Sequence, residues 1–484
     1  MNNIILLSQQ NAILLVLGIS IIFLIVGIVY SKKFKGLNNY LLANRSVGTF
    51  SLTSSLVASA LGAWILFGPA SAATWGGIGA VIGYALGTAF PLFILIYLGT
   101  EFREKYPKGK TLIEVIRLKY GPNLFKLILV LSIFYMTIFL IAEVTAIAFL
   151  INLISKTPLW ISAGLTLIIC LLYILRGGFK LSIITDKYQF IIILFIILFS
   201  MSLILGNLEI NSFDLIKQNS PKLLSKNYIP NYTAGLTFFI AVAATNLFHQ
   251  GNWQRVFAAK NNLILKKSLI YSSIFSFLIV LWMGYTGLIS FSIDPKIIPD
   301  LAFFNLVFLN NSFFIIVSIL ILALALTLST IDTLINAISS LIIIEGKEIN
   351  KFLSGREIKG KTNKLILLLS ILVFILASKG YSILYLFLFA DLLCCAAVVT
   401  IFYGFINKNI NTKLSYISII LGLISGLLFF PSQNFQSSLL VGKLLSVENF
   451  SPIISSNLLF ISFIVALIVP FITITFYSLR NSLR

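Results

Sequence analysis

Runs of about twenty consecutive apolar residues constrain this chain more than any other feature. The stretch 11–30 (NAILLVLGISIIFLIVGIVY) is one such run, and about twenty residues of helix cross a hydrocarbon core of about 30 Å. Lipid offers backbone amides and carbonyls no partner, so a run of this length must close its hydrogen bonds within itself as an α-helix. Apolar segments fall near 11–30, 47–69, 76–98, 122–154, 158–176, 184–206, 232–250, 266–291, 305–344, 364–378, 381–406, 414–430 and 454–479. They predict an all-α membrane protein with about thirteen transmembrane helices. The segment 364–378 is short for a crossing, whereas 122–154 and 305–344 are long enough to tilt or overrun the bilayer. Only 10% of residues are charged, against about 25% in soluble proteins. The loops 207–231 and 431–453 are too short to hold a separate core, so residues 1–484 read as one transmembrane domain.

The net charge of +20 does not point to nucleic acid, because the basic residues are scattered through short loops. They are not scattered evenly. With the N-terminus outside and alternate loops inside, 28 of the 35 Lys and Arg fall on the inner side, as the positive-inside bias requires. Arg255 is counted there, in the segment after the seventh span. The C-terminus is then cytoplasmic, and the expected location is a bacterial cytoplasmic membrane, with lipid as the surrounding partner. No basic leader precedes the first span and no cleavage site follows it, so it is expected to be retained. Cys170, Cys394 and Cys395 lie within apolar stretches, lack metal-ligand or disulfide spacing, and read as small core residues.

Four carboxylates interrupt the apolar segments: Glu143, Asp186, Asp332 and Asp391. Each costs roughly 2.5–3.5 kcal/mol at a helix centre on insertion scales, and such residues mark ion or substrate paths or serve as interhelical hydrogen-bonding groups. No basic residue lies within one helical turn of Asp332. Residues 323–340 (ALALTLSTIDTLINAISS) are polar for mid-membrane. On a helix Leu326, Ser329, Thr330 and Thr333 form one stripe beside Asp332 and Asn336. These hydroxyls suit either a hard cation or bonding back to their own helix. Two segments look broken. Residues 54–73 carry Gly62, Gly68 and Pro69, and 241–255 carry the sole histidine, His249. Unwound backbone at membrane depth lines a cavity, while glycine also serves close helix packing. Helices two to six and seven to eleven form two five-span halves, each opening on one of these segments, as inverted-repeat transporters do.

Three motifs then carry a resemblance. Residues 176–189 (RGGFKLSIITDKYQ), 253–260 (WQRVFAAK) and 328–336 (LSTIDTLIN) resemble, in order and position, signatures of the sodium:solute symporter family. The resemblance implies a LeuT-type 5+5 inverted-repeat core over about 47–206 and 232–406. One peripheral helix (11–30) precedes it and two (414–430, 454–479) follow. It also implies a primary Na+ site where the broken second helix meets the ninth, with backbone carbonyls of Ala58, Leu61 and Leu326 and hydroxyls of Ser329 and Thr330. Asp186, Asp332 and Thr333 would form a second Na+ site or a release path. For Asp186, capping the start of its own helix is the competing role.

The implied activity is sodium-coupled import of a small polar organic solute (urea-like, amino-acid-like or related) by alternating access. No covalent chemistry is needed, and no cofactor beyond Na+ as coupling ion is expected. Candidate solute-binding residues are Gly62, Trp64, Glu143, Phe248, His249, Gln250 and Asp391. Residues 249–255 (HQGNWQR) resemble the urea-type branch, with histidine where an aspartate often stands. A proton-coupled carrier of the same fold is the alternative. A sensor would need an appended signalling domain, and a membrane enzyme would need clustered His, Cys or acidic ligands. Which solute is carried, and the oligomeric state, are not legible.

Overall fold

The computed structural model describes residues 6–31, 36–309, 312–349, 355–406, 411–433, 435, 437–442 and 457–482. The apolar runs form helices, although the run at 305–344 is divided, with residues 308, 309 and 312 outside any helix. In chain order these are α1 Gln9–Ser31, α2 Leu37–Leu42, α3 Thr49–Ala60, α4 Gly68–Lys105, α5 Leu112–Tyr120 and α6 Pro122–Ser155. Next come α7 Leu159–Gly206, α8 Ser212–Asn219, α9 Ile229–Phe248, α10 Gln250–Ala258, α11 Asn262–Ile293 and α12 Ala302–Val307. The last are α13 Phe313–Ile349, α14 Gly355–Ala377, α15 Ile383–Ile406, α16 Thr412–Phe429 and α17 Leu458–Ser482. Among the described residues nine helices are long and apolar enough to cross a membrane, and two shorter apolar helices cover Gln9–Ile25 and Leu159–Leu172. In 47–69 the helix Thr49–Ala60 has only twelve residues, and in 232–250 the twenty-residue helix Ile229–Phe248 is not among the nine, so a count of thirteen rests on taking these four as crossings.

Both interruptions have local causes. Helix α3 stops at Leu61 (φ −96°, ψ 86°), and Gly62 is extended (φ −80°, ψ −175°). A short 3-10 turn, Ala63–Leu66, leads to α4, which starts on Gly68-Pro69; proline costs no hydrogen bond in a first helical turn. The chain reverses at Gly77 (φ +59°, ψ −158°), a conformation reserved for glycine, where a Cβ would also lie 2.2 Å from Asn231 Oδ1. The second span therefore runs to Gly76, beyond the expected end at 69. In the seventh, α9 and α10 are separated by one extended residue, His249 (φ −63°, ψ 112°). Spans expected at 158–176 and 184–206 meet at a kink at Gly178 (φ +59°) inside α7, so the later one starts six residues sooner.

Helix α4 makes the most extensive packing in the molecule, against α11 and α9. Glycine permits it: a Cβ on Gly79 would sit 1.7 Å from Asn231 O, and one on Gly83 2.1 Å from Gly235 O. Helices α13 and α15 run through the interior, with 83% of the most apolar window of each buried, against 28% for α14. The leucines and isoleucines of α14, such as Leu368 and Ile371, are exposed and face lipid. One end of the bundle is basic and tied together by arginine. Arg45 Nη2 donates to Gly109 O (2.7 Å), and Arg103 Nη1 donates to Val256 O (2.7 Å) at the end of α10.

A candidate transport site between two broken helices

The two breaks face one another across about 570 Å³ of empty space. Ser59, Ala60 and Trp64 line it from the first break, and Thr245, Asn246, His249 and Asn252 from the second. Tyr84 of α4, Phe139 and Glu143 of α6, Thr330 of α13, and Phe387 and Asp391 of α15 complete the wall, with Val242. Trp64 stacks on Tyr84 (5.6 Å between centroids) and meets Phe387 edge-on (6.4 Å), while Phe139 lies 4.9 Å from Phe387. Two carboxylates enter this aromatic enclosure. Asp391 Oδ1 accepts from Thr245 Oγ1 (2.7 Å). Glu143 Oε2 accepts from the Ala63 amide (2.8 Å), one of the donors a restarting helix leaves free. Among the described residues its Oε1 is buried with no hydrogen-bond partner, and no Lys or Arg lines the cavity.

Toward the basic end lies a second buried cluster, made wholly of polar and charged side chains. Asp186 accepts from Ser329 Oγ (2.6 Å), from Ser55 Oγ and from Arg255 Nη2 (3.0 Å). Arg255 also donates to Ser55 Oγ (2.7 Å), Gly251 O (3.0 Å) and Thr333 Oγ1 (2.9 Å). Its guanidinium carbon lies 5.5 Å from the centre of the Phe179 ring. Asp332 accepts from Ser182 Oγ (2.7 Å), Thr333 Oγ1 (3.3 Å) and Thr185 Oγ1 (3.4 Å). Asp186 and Arg255 are fully buried.

Two sequence readings change here. Arg255 is not a loop charge: it is buried in α10 and pairs with Asp186, and its contact with Thr333 brings positive charge toward Asp332 from another helix. Asp186 does not cap its helix. It lies eight residues past the Gly178 kink, and its donors come from α3, α10 and α13.

Of the residues singled out for the primary Na+ site, Ala58 and Leu61 lie at the end of α3, and Leu326, Ser329 and Thr330 lie on α13, which packs against α3. Ala58 and Leu61 are fully buried at the break, where the carbonyls of a last helical turn lose their i+4 amides. Thr330 Oγ1 donates back to Leu326 O (3.1 Å), whereas Ser329 turns to Asp186. Among the solute candidates, Trp64, Glu143, His249 and Asp391 line the cavity. Gly62 stands behind Glu143, where a Cβ would lie 1.9 Å from Oε1, so its lack of a side chain makes room for the carboxylate. Phe248 and Gln250 are not in the wall: Phe248 packs edge-on against Phe402, and Gln250 Oε1 accepts from the Leu112 amide (3.2 Å). Sequence reasoning missed Tyr84, Phe139 and Phe387, aromatic residues among many in apolar helices. Thr245, Asn246 and Asn252 could have been found, since they stand in the polar interruption at 241–255.

Solved structures and relatives agree with this architecture. A Na+-coupled sialic acid symporter, in its substrate-bound outward-open state, superposes with a TM-score of 0.74 over 96% of this chain and 97% of that one, at 15% identity. A nucleobase-cation-symport-1 family transporter, closed around bromovinylhydantoin, superposes at 0.52 over 90% and 94%, also at 15% identity. Both share the LeuT-like fold. The spermidine transporter DUR31 of Candida albicans is 24% identical over 91% of this chain and 84% of its own length. The probable urea active transporter 1 of Schizosaccharomyces pombe is 27% identical over 52% of this chain and 41% of its own. The sequence profile of the sodium:solute symporter family matches residues 40–426, and the chain belongs to that family, as a multi-pass membrane protein that transports solute and is not an enzyme.

Proposed function

We propose that this protein is a Na+-coupled symporter for a small organic cation of the amine type. The observation that carries the reading is a cavity holding two carboxylates, Glu143 and Asp391, with no Lys or Arg among the described residues of its wall. A buried carboxylate without a cation or proton is costly, and aromatic rings around it favour an organic cation over bare water. An amino-acid-like solute fits less well. In transporters with broken helices, the half-helix amides receive the anionic group of the substrate; here Glu143 already accepts from Ala63 at that position. The spermidine and urea transporters among the relatives carry solutes rich in N–H donors, in keeping with an acceptor-lined cavity. The backbone carbonyls of Ala58, Leu61 and Leu326 and the hydroxyls of Ser329 and Thr330 support Na+ as the coupling ion, being hard oxygen donors.

The second reading is a proton-coupled carrier of a neutral donor such as urea, favoured by the same two carboxylates if each carries a proton. Uptake by proteoliposomes separates the two. An inward Na+ gradient should drive accumulation of labelled spermidine, and Glu143→Gln should weaken its apparent affinity about tenfold or more, the scale of a lost hydrogen bond to a charged group. Accumulation of urea driven by a pH gradient alone, with no spermidine uptake, would transfer the assignment to the second reading.

A further inference from the structure

Helices α4 and α9 run side by side in the same direction. Gly79 of α4 faces the Asn231 carbonyl and Gly83 the Gly235 carbonyl, so the contact advances four residues on each helix. Tyr84 and Thr245 of these helices line the central cavity, and on their outer side the pair leaves a groove with about 890 Å³ of empty space. Its walls include Ile78, Ile82 and Leu86 of α4 and Tyr232, Leu236 and Phe239 of α9. Ile82, Leu86, Tyr232 and Leu236 are exposed, so in a bilayer this groove meets lipid. From Ile78 to Leu86 it follows about 12 Å of helix, against about 15 Å for half of the hydrocarbon core.

Polarity changes along the groove. Its end opposite the basic loops is a polar mouth formed by Ser225, Lys226 and Asn231, with Tyr232 beside it, an amphipathic ring of the kind that sits at headgroup depth. Asn231 Nδ2 donates to Ser225 O (2.8 Å), its Oδ1 accepts from the Gly79 amide (3.0 Å), and the Tyr228 hydroxyl donates to Trp75 O (2.7 Å). These bonds hold the turn that carries Lys226 against α4. Lys226 is exposed, and among the described residues no carboxylate pairs with it or lines the groove. Lys222 is turned elsewhere, its ammonium 5.4 Å from the centre of the Phe291 ring on α11. A phospholipid has the same division, an anionic phosphate above an apolar chain. A net-anionic headgroup suits the mouth better than a zwitterionic one, because no acid there receives the headgroup's own cation.

We propose that this groove binds one anionic phospholipid, with its phosphate on Lys226 and an acyl chain along the seam between α4 and α9. Native mass spectrometry of the purified full-length protein, supplied with equal amounts of phosphatidylglycerol and phosphatidylcholine of the same chain length, tests it. Wild type should retain one phosphatidylglycerol per polypeptide, with about fivefold preference over phosphatidylcholine, the scale of one lysine beside an anionic lipid. Lys226→Glu should abolish that preference and Lys226→Arg should keep it. Lys296→Glu makes the same charge change at an exposed lysine outside the groove and should bind as wild type does. Leu236→Trp, which fills the apolar part, should lower retention of both lipids severalfold. Equal preference in wild type and Lys226→Glu, or none in wild type, would overturn the proposal. An equal loss in Lys296→Glu would do the same, by marking a general effect of surface charge. Unchanged retention in Leu236→Trp would place the chain elsewhere and overturn it too. A lipid-free dimer would put a second copy of this chain in the groove instead of a lipid.

Discussion

Arg255 sits where a cation is expensive, fully buried. It is kept there by four acceptors and a ring: Asp186, Ser55, Thr333, the Gly251 carbonyl and Phe179. Burying an ion pair yields little net stability, but removing one partner leaves a charge with nothing to offset its desolvation and costs about 3–5 kcal/mol. Arg255→Met should therefore destabilise the purified protein strongly. Asp186→Asn in the same chain should recover much of that loss, since an amide needs no counter-charge. Thermal unfolding of the two single variants and the double in one detergent measures the coupling. If the double variant is as unstable as the sum of the singles, the pair is not what holds this region together. In the sequence Arg255 stands five residues before Lys260 in a segment that ends in a loop, and nothing local distinguishes it from a surface charge. The four carboxylates are easier to read, because each interrupts an apolar run.

At the scale of the element, the breaks at Gly62 and His249 fall inside the two segments that composition singles out, because glycine, proline and clustered polar side chains are poor membrane-helix residues. What the sequence leaves unreadable is where each span turns. Gly77 and Gly178 take the same left-handed conformation, yet the neighbouring glycines offer equal candidates, and only tertiary packing selects between them. The same holds for the cavity wall. Tyr84 and Phe387 join it because α4 and α15 rotate those rings inward, a choice made by helix packing. That packing makes a prediction. Helices α4 and α9 approach backbone to backbone at Gly79 and Gly83, where any Cβ meets a carbonyl at 1.7 and 2.1 Å. Gly83→Val should force α9 away from α4 and disrupt the wall around Thr245 and Asn246, lowering both thermal stability and solute binding. Gly206→Val, at a position where a Cβ would meet nothing within 4 Å, is the matched control. Equal stability of the two variants would show that the close approach does not constrain the fold.

For the whole molecule, charge along the transport axis matters more than the net charge of +20. With its carboxylates ionised, the central cavity carries two negative charges, from Glu143 and Asp391. In the cluster toward the basic end Arg255 pairs with Asp186, and Asp332 accepts from the hydroxyls of Ser182, Thr333 and Thr185. These hydroxyls and carboxylates are hard oxygens of the kind Na+ accepts. We propose that the cluster is a second Na+ site or a waypoint on the release path, beside the Na+ site proposed at the α3 break. Each inward charge then gains about 2.3 kcal/mol per 100 mV of membrane potential, so the ion count fixes how steeply voltage drives uptake. Asp332→Asn removes one negative charge from the cluster, while the amide can still accept from Ser182. In that variant the Na+ Hill coefficient should fall toward one, and the charge moved per spermidine in solid-supported-membrane recordings should fall with it. A wild type that moves one Na+ per solute, together with unchanged Na+ affinity in Asp332→Asn, would remove the second site and leave the cluster a structural knot that holds α3, α7, α10 and α13 together.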